Sequence, residues 1–329
     1  MLLCKRYIEL FIELGDLAMK VSIIGVGAIG GYVFAKLSET NRHNLQCVVS
    51  QHSALLEHNE IKLSHSTQSS RSPIENITSD YSAIGGELIF ITLKSTHNAE
   101  VFPQLAHLRN KTFVVIQNGI GNEAHLAQFL HESNTIIGAT TNIKVTKTSA
   151  GNQVTLHKES SYLNYAHYHE GTNELDLESV FNLLFGSVSP KDDIFQARFP
   201  KLLVNASCNL ASIIYDACMQ TLSTAAEPRQ LVEDIGQEVI QVAQAYGVNI
   251  DPSTVSQLFS HLAVPEFKGV YFSMKEDFDS GRDMEIETIF HNLVELANKA
   301  NVQMPKTQAS LNTLLSMIDQ RNTQSQLCS

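Results

Sequence analysis

A β-branched run, Lys20 to Ile24 (KVSII), stops in three glycines spaced GxGxxG, and a helical pattern begins inside that spacing. Each glycine answers a separate steric demand. Gly25 permits a tight turn out of a buried strand. Gly27 removes the side chain that would hold a pyrophosphate off the backbone, and Gly30 lets helix and strand pack closely. The helix expected over Ala28 to Ser38 carries Ile29, Val33, Phe34 and Leu37 at helical spacing. Its first turn therefore aims free amides and a positive dipole end at the bend. In this strand–turn–helix context, Gly25, Val26, Gly27, Ala28, Ile29 and Gly30 read as a dinucleotide cradle.

Further strands follow at Leu45 to Val49, Leu88 to Leu93 (LIFITL), Thr112 to Ile116 (TFVVI) and Thr135 to Gly138, with a helix expected over Ala124 to Glu132. Strands alternating with helices indicate a doubly wound sheet. After about Ser160 the texture changes. Thr172 to Leu184 reads as one helix, and Ser187 to Asp193 (SVSPKDD) as a turn-rich boundary. From Phe195 onward amphipathic patterns replace β-branched runs, at Leu202 to Ala217, Arg229 to Tyr246 and Glu285 to Ala300. In the second of these Leu231, Ile235, Val239, Val242 and Ala243 share one face, and Gly247 is the stop. The expected class is α/β: a Rossmann-like doubly wound sheet over 19–190 and an all-helical domain over 191–329. Residues 1–18 are an extension whose apolar run is broken by Glu9, Glu13 and Asp16. Either translation starts at Met19 or this segment is a short appended helix. The polar tail from Arg321 is expected to fray.

With 329 residues, 43% hydrophobic and 17% charged, the chain can bury two cores. A formal charge of −11 disfavours a nucleic-acid partner. No stretch approaches the roughly 20 apolar residues of a membrane span. Five dispersed cysteines, without a CxxC pair, read as reduced thiols of a cytoplasmic protein; Cys47 and Cys208 are expected in packed interiors. The thirteen histidines show no HExxH or paired spacing, His291 reads as a helix-surface residue, and no metal site is expected.

An NAD site usually places a carboxylate about 20 residues beyond the glycines, at the end of the second strand. Here that strand ends Val48-Val49-Ser50-Gln51-His52, with no acid to repel a ribose phosphate, and this favours NADPH. The usual phosphate-binding arginine is also missing there. In the second half, Lys201 follows Pro200 at an expected helix start, and Asn205 and Asn209 sit four and eight residues on, along one stripe. A solvated face and a ligand-facing stripe are both open readings. Asn118, in Gln117-Asn118-Gly119, and Lys94 lie just past strands, on the rim where open sheets bind ligands, although Asn-Gly also suits a plain turn. Ser273, Asp277, Arg282 and Glu285 cluster in sequence, with Asp283 a candidate cap and Glu285 a candidate first-turn surface acid.

Taken in order, Lys20 to Gly31, Thr92-Leu93-Lys94, Gln117-Asn118-Gly119, Lys201 with Asn205 and Asn209, and Ser273-Met274 through Asp277 to Glu285-Ile286-Glu287 resemble the ketopantoate reductases (2-dehydropantoate 2-reductases). The resemblance runs from Met19 to about Met317. It implies an NADPH-dependent oxidoreductase that reduces a 2-oxo acid, ketopantoate to pantoate, in pantothenate and coenzyme A synthesis. It implies Lys201 as general acid, Glu285 as the group that binds the substrate hydroxyl and orients Lys201, and Asn118, Asn205, Asn209 and Ser273 as substrate-positioning residues. Lys94, Asn118 and Glu285 would also meet the cofactor. A monomer or homodimer is implied. Two departures, Gly269-Val270-Tyr271-Phe272 without the family's usual Asn, and Phe290-His291 with Glu287 in place of Asp, leave open a paralogous reductase acting on another 2-oxo acid. A non-catalytic NADPH-binding regulator is the alternative from a different class.

Overall fold

The computed structural model describes residues 19–148, 151–157 and 161–327; the expected extension 1–18 lies outside them. The described residues form two compact units. The first is built from the chain up to Leu93, Glu100–Gln117 and His125–Lys191; the second from Lys94–Ala99, Asn118–Ala124 and the chain from Asp192 onward.

The strands of the first unit are β1 Lys20–Ile24, β2 Asn44–Val48, β3 Glu60–His65, β4 Gln68–Pro73, β5 Ile77–Thr78, β6 Leu88–Ile91, β7 Thr112–Val115, β8 Thr135–Thr141, β9 Val145–Lys147, β10 Gln153–Leu156, β11 Tyr162–His169 and β12 Ser187–Pro190. The main sheet runs β12-β11-β8-β7-β6-β1-β2-β5. From β5 to β8 all neighbours are parallel, the strand order of a Rossmann fold. β11 is antiparallel to β8 and parallel to β12. The central runs β6 (LIFI) and β7 (TFVV) are almost wholly apolar and buried because both faces are covered. Leu88 and Phe90 enter one apolar cluster while Ile89 and Ile91 enter another, as the two-residue strand period requires. Helix α1, Ala28–Ser38, follows β1 and packs against a second sheet, β4-β3-β10-β9, where Val154 lies against Gly31.

Several expectations needed correction here. Ser187 to Pro190 is not a turn but an edge strand, and Pro190 is tolerated because it ends that strand. The strand texture continues past Ser160 into β11, whose polar sequence YLNYAHYH hid it. In the second sheet the serine-rich β4 carries no apolar signal, and β3 and β10 show only a two-residue alternation, Ile61 with Leu63 and Val154 with Leu156. The helix expected from Thr172 is shorter, α2 at Leu177–Leu184, capped by the Asp176 side chain. The helix expected over Ala124 to Glu132 is instead Asn122–Ala127.

The second unit is helical: α3 Ile194–Ile214, α4 Ala226–Ala245, α5 Ser253–Leu262, α6 Ser273–Asp279, α7 Asn292–Lys299 and α8 Pro305–Leu327, with shorter turns between. Helix α3 is the axis of its core, burying Leu202, Leu203, Ala206 and Leu210 among Val232, Ile235 and Val239 of α4 and Ile289, Phe290 and Leu293. Pro200 does not mark its start. Asp193 caps it, its side chain accepting from the Phe195 amide at 2.6 Å, and Pro200 sits inside. An internal proline forfeits one helical hydrogen bond, and the surrounding apolar packing offsets that loss. Cys47 and Cys208 are both fully buried, and burial pushes each thiol up to about 12. Among the described residues no helix is long and apolar enough to cross a membrane.

Candidate active site

In the first unit, the backbone around the glycines has the shape the spacing demands. Gly25 has φ +87°, and a Cβ there would lie 2.4 Å from Leu93. A Cβ on Gly30 would lie 2.5 Å from the Gly25 carbonyl and from Thr92 Oγ1. Gly27 differs: a Cβ there would meet only the Gly25 carbonyl, at 3.9 Å. The bend is thus closed beneath by Gly25 and Gly30 and open above Gly27, as a cradle for a bulky diphosphate must be. Thr92 Oγ1 donates to the Gly25 carbonyl at 2.8 Å and fixes the turn. Ser50, Gln51 and His52, just past β2, are exposed.

In the second unit, one hydrogen-bonded chain joins residues far apart in sequence. Asn205 Nδ2 on α3 donates to Asn118 Oδ1 at 3.3 Å. Asn118 Nδ2 donates to Glu285 Oε2 at 2.9 Å. The Ser95 amide donates to Glu285 Oε1 at 3.1 Å, and the Ser95 hydroxyl lies 2.8 Å from that of Thr288. Glu285 is therefore half-buried and doubly held rather than a surface acid, and it precedes the helix instead of lying in its first turn. A π-helical turn, Glu287–His291, follows it. There the Thr288 carbonyl accepts from the Ile120 amide at 2.8 Å, tying the Asn118 loop in place.

Asn205 and Asn209 are both buried, so their stripe of α3 is not a solvated face. Asn209 Oδ1 is buried with no hydrogen-bond partner. An unpaired buried acceptor costs about 1–3 kcal/mol, and a ligand hydroxyl or a water would relieve it. Lys201, half-buried, is one helical turn before Asn205 on this stripe, and its charge reaches Cys208. Lys94 Nζ lies 2.8 Å from Asp277 Oδ2 and donates to the Asp283 carbonyl at 3.0 Å, while Arg282 Nε takes the other Asp277 oxygen at 2.8 Å. Asp283 thus contributes its backbone here. Ser273 is exposed at the first position of α6 and takes no part in the Asn205–Asn118–Glu285 chain. Phe290 is a core residue, wholly buried, so its departure from the family pattern concerns packing. His291 is exposed. Ser95, Thr288 and the buried Arg198–Glu123 ion pair were not singled out from the sequence. Nothing but long-range contact distinguishes them.

A parallel sheet of Rossmann order with an open glycine cradle, and a helical unit carrying a lysine, amides and a held carboxylate, define the class of dinucleotide-binding α/β oxidoreductases. Two family models narrow it: ketopantoate reductase PanE/ApbA matches residues 21–168, and ketopantoate reductase PanE/ApbA C terminal matches 193–318. The chain belongs to the ketopantoate reductase family. A 2-dehydropantoate 2-reductase of Nostoc sp. is 27% identical over 323 residues, which are 94% of this chain and 98% of the relative. Among solved structures, 2-dehydropantoate 2-reductase from Geobacter metallireducens superposes with a TM-score of 0.80 at 21% identity, over 92% of this chain and 100% of that one. A ternary structure of D-mandelate dehydrogenase with NADH and anilino(oxo)acetate gives 0.80 at 20% identity with the same coverage. At such identities the two structures speak for the fold alone.

Proposed function

We propose that this chain reduces a 2-oxo acid with NADPH, and that ketopantoate, converted to pantoate, is its substrate. The carrying observation is the polar chain that runs from Asn205, on the stripe of α3 that also bears Lys201, through Asn118 to Glu285. NADPH, when bound, supplies the hydride, and Gly25 to Gly30 would hold its diphosphate, with Lys94, Asn118 and Glu285 as further cofactor contacts. The exposed Ser50-Gln51-His52 segment, free of carboxylates, supports NADPH over NADH. Lys201 protonates the carbonyl oxygen as charge develops on it, and its cation stabilises the nascent alkoxide. Each Glu285 oxygen already accepts one hydrogen bond and keeps a lone pair, so the carboxylate can accept from a substrate hydroxyl without losing its anchors. Asn205, the unpaired Asn209 oxygen and the exposed Ser273 hydroxyl supply the remaining substrate contacts. The dispersed thiols fit a cytoplasmic enzyme.

Purified protein should oxidise NADPH in the presence of ketopantoate faster than with any other member of a panel of 2-oxo acids. Lys201→Ala should lower kcat by about two to four decades. A variant as active as the parent removes Lys201 from the reaction, and another acid that outruns ketopantoate replaces the substrate.

A further inference from the structure

The end of β2 lacks a cation for a ribose phosphate, but the fold brings one to that corner from elsewhere. Lys147, the last residue of β9, donates from Nζ to the Val26 carbonyl, within the glycine bend, at 2.5 Å. Gly151, four residues beyond β9, lies against the residues past β2: a Cβ on it would be 3.0 Å from Ala54 Cβ and 3.4 Å from the Leu55 amide. The charge of Lys147 also acts on the thiol of Cys47, inside β2. Its ammonium is thus beside the cradle on the side of β2, where a Rossmann fold places the adenosine ribose.

The ammonium itself is short of partners. Burial disfavours its charge and lowers its pKa, a pull that the Cys47 thiol only partly opposes. Among the described residues no carboxylate comes within ion-pair distance of it. An ammonium has three donors, and the Val26 carbonyl takes one. A desolvated cation with donors to spare, at the mouth of a phosphate cradle, suits a second phosphate. We infer that Lys147 receives the 2′-phosphate of the NADPH ribose and so replaces the cation absent from the end of β2. This rests on the NADPH reading above.

Direct binding tests it, by titrating NADPH, NADH, 2′,5′-ADP and 5′-ADP into the parent, Lys147→Ala and Lys147→Arg. In Lys147→Ala, affinity for NADPH and 2′,5′-ADP falls about ten- to a hundred-fold, while NADH and 5′-ADP bind as before; Lys147→Arg keeps the preference. Equal losses for both cofactors would make Lys147 a strut of the bend and overturn the inference, as would no loss. A parent that binds NADH as tightly as NADPH ends the NADPH reading and this inference with it. A parent preference that survives in Lys147→Ala ends this inference alone. Should the alanine variant not fold, acetylation of Lys147 in the parent, read by mass spectrometry, decides. Protection by 2′,5′-ADP but not 5′-ADP supports the assignment, and equal protection refutes it.

Discussion

Gly119 shows how tightly a single residue is specified. Its φ is +85°, and a Cβ would lie 2.4 Å from the Thr288 carbonyl, which is already bonded to the Ile120 amide. The Asn-Gly pair is thus a turn, as its composition suggests, but one whose glycine is pressed against the π-helical turn after Glu285. Gly119→Ala combines left-handed strain of about 1–3 kcal/mol with a backbone clash. It should lower stability in urea by at least that much. It should also lower kcat about ten-fold or more, because small displacements of a positioning group such as Asn118 are costly. Gly247→Ala is the control: its φ is +76°, yet nothing lies within 4 Å of the added carbon. That variant should lose stability and keep kcat. Equal kcat in both would show that the Asn118 loop tolerates displacement.

At the scale of elements, the second unit depends on a buried charge. Arg198 of α3 is fully buried against Glu123, and Asn98 Nδ2 donates to Asn122 Oδ1 beside it at 2.9 Å. Removing one partner of such a pair strands the other charge, at about 3–5 kcal/mol. Glu123→Leu should therefore unfold at much lower denaturant, and adding Arg198→Met should return most of the loss; a double variant no better than the single would deny the coupling. None of this pair was legible in the sequence. What was legible was local: β1, the glycine bend and α1 occupy one short stretch whose strand, turn and helix signals agree. The start of α3 was misplaced because proline favours a first helical turn, whereas the actual cap is Asp193 seven residues earlier. β4, β11 and β12 escaped because half-exposed polar strands carry little apolar period, and β3 and β10 because their alternation covers only two apolar residues each. The Ser95 contact to Glu285 escaped because it joins residues 190 apart, which no window spans.

At the scale of the whole molecule, the chain passes between its two units more than once. Lys94–Ala99 and Asn118–Ala124 leave the strands of the first unit and complete the second, so a cut at the expected boundary of 190 and 191 would strip the helical unit of Ser95, Asn118 and Glu123. A fragment from Asp192 to Ser329 would retain the apolar core around α3. It would also retain Arg198 stripped of Glu123, and Glu285 without the two donors that hold it. The fragment should therefore unfold at far lower denaturant than the whole chain, or without cooperativity, and Arg198→Met should stabilise the fragment while destabilising the whole protein. That reversal of sign is the diagnostic, because a merely truncated core would respond to the substitution in the same direction in both settings. If the fragment proves as stable as the helical unit of the intact chain, the returning segments are passengers. The residues around Glu285 would then owe their arrangement to the helices alone.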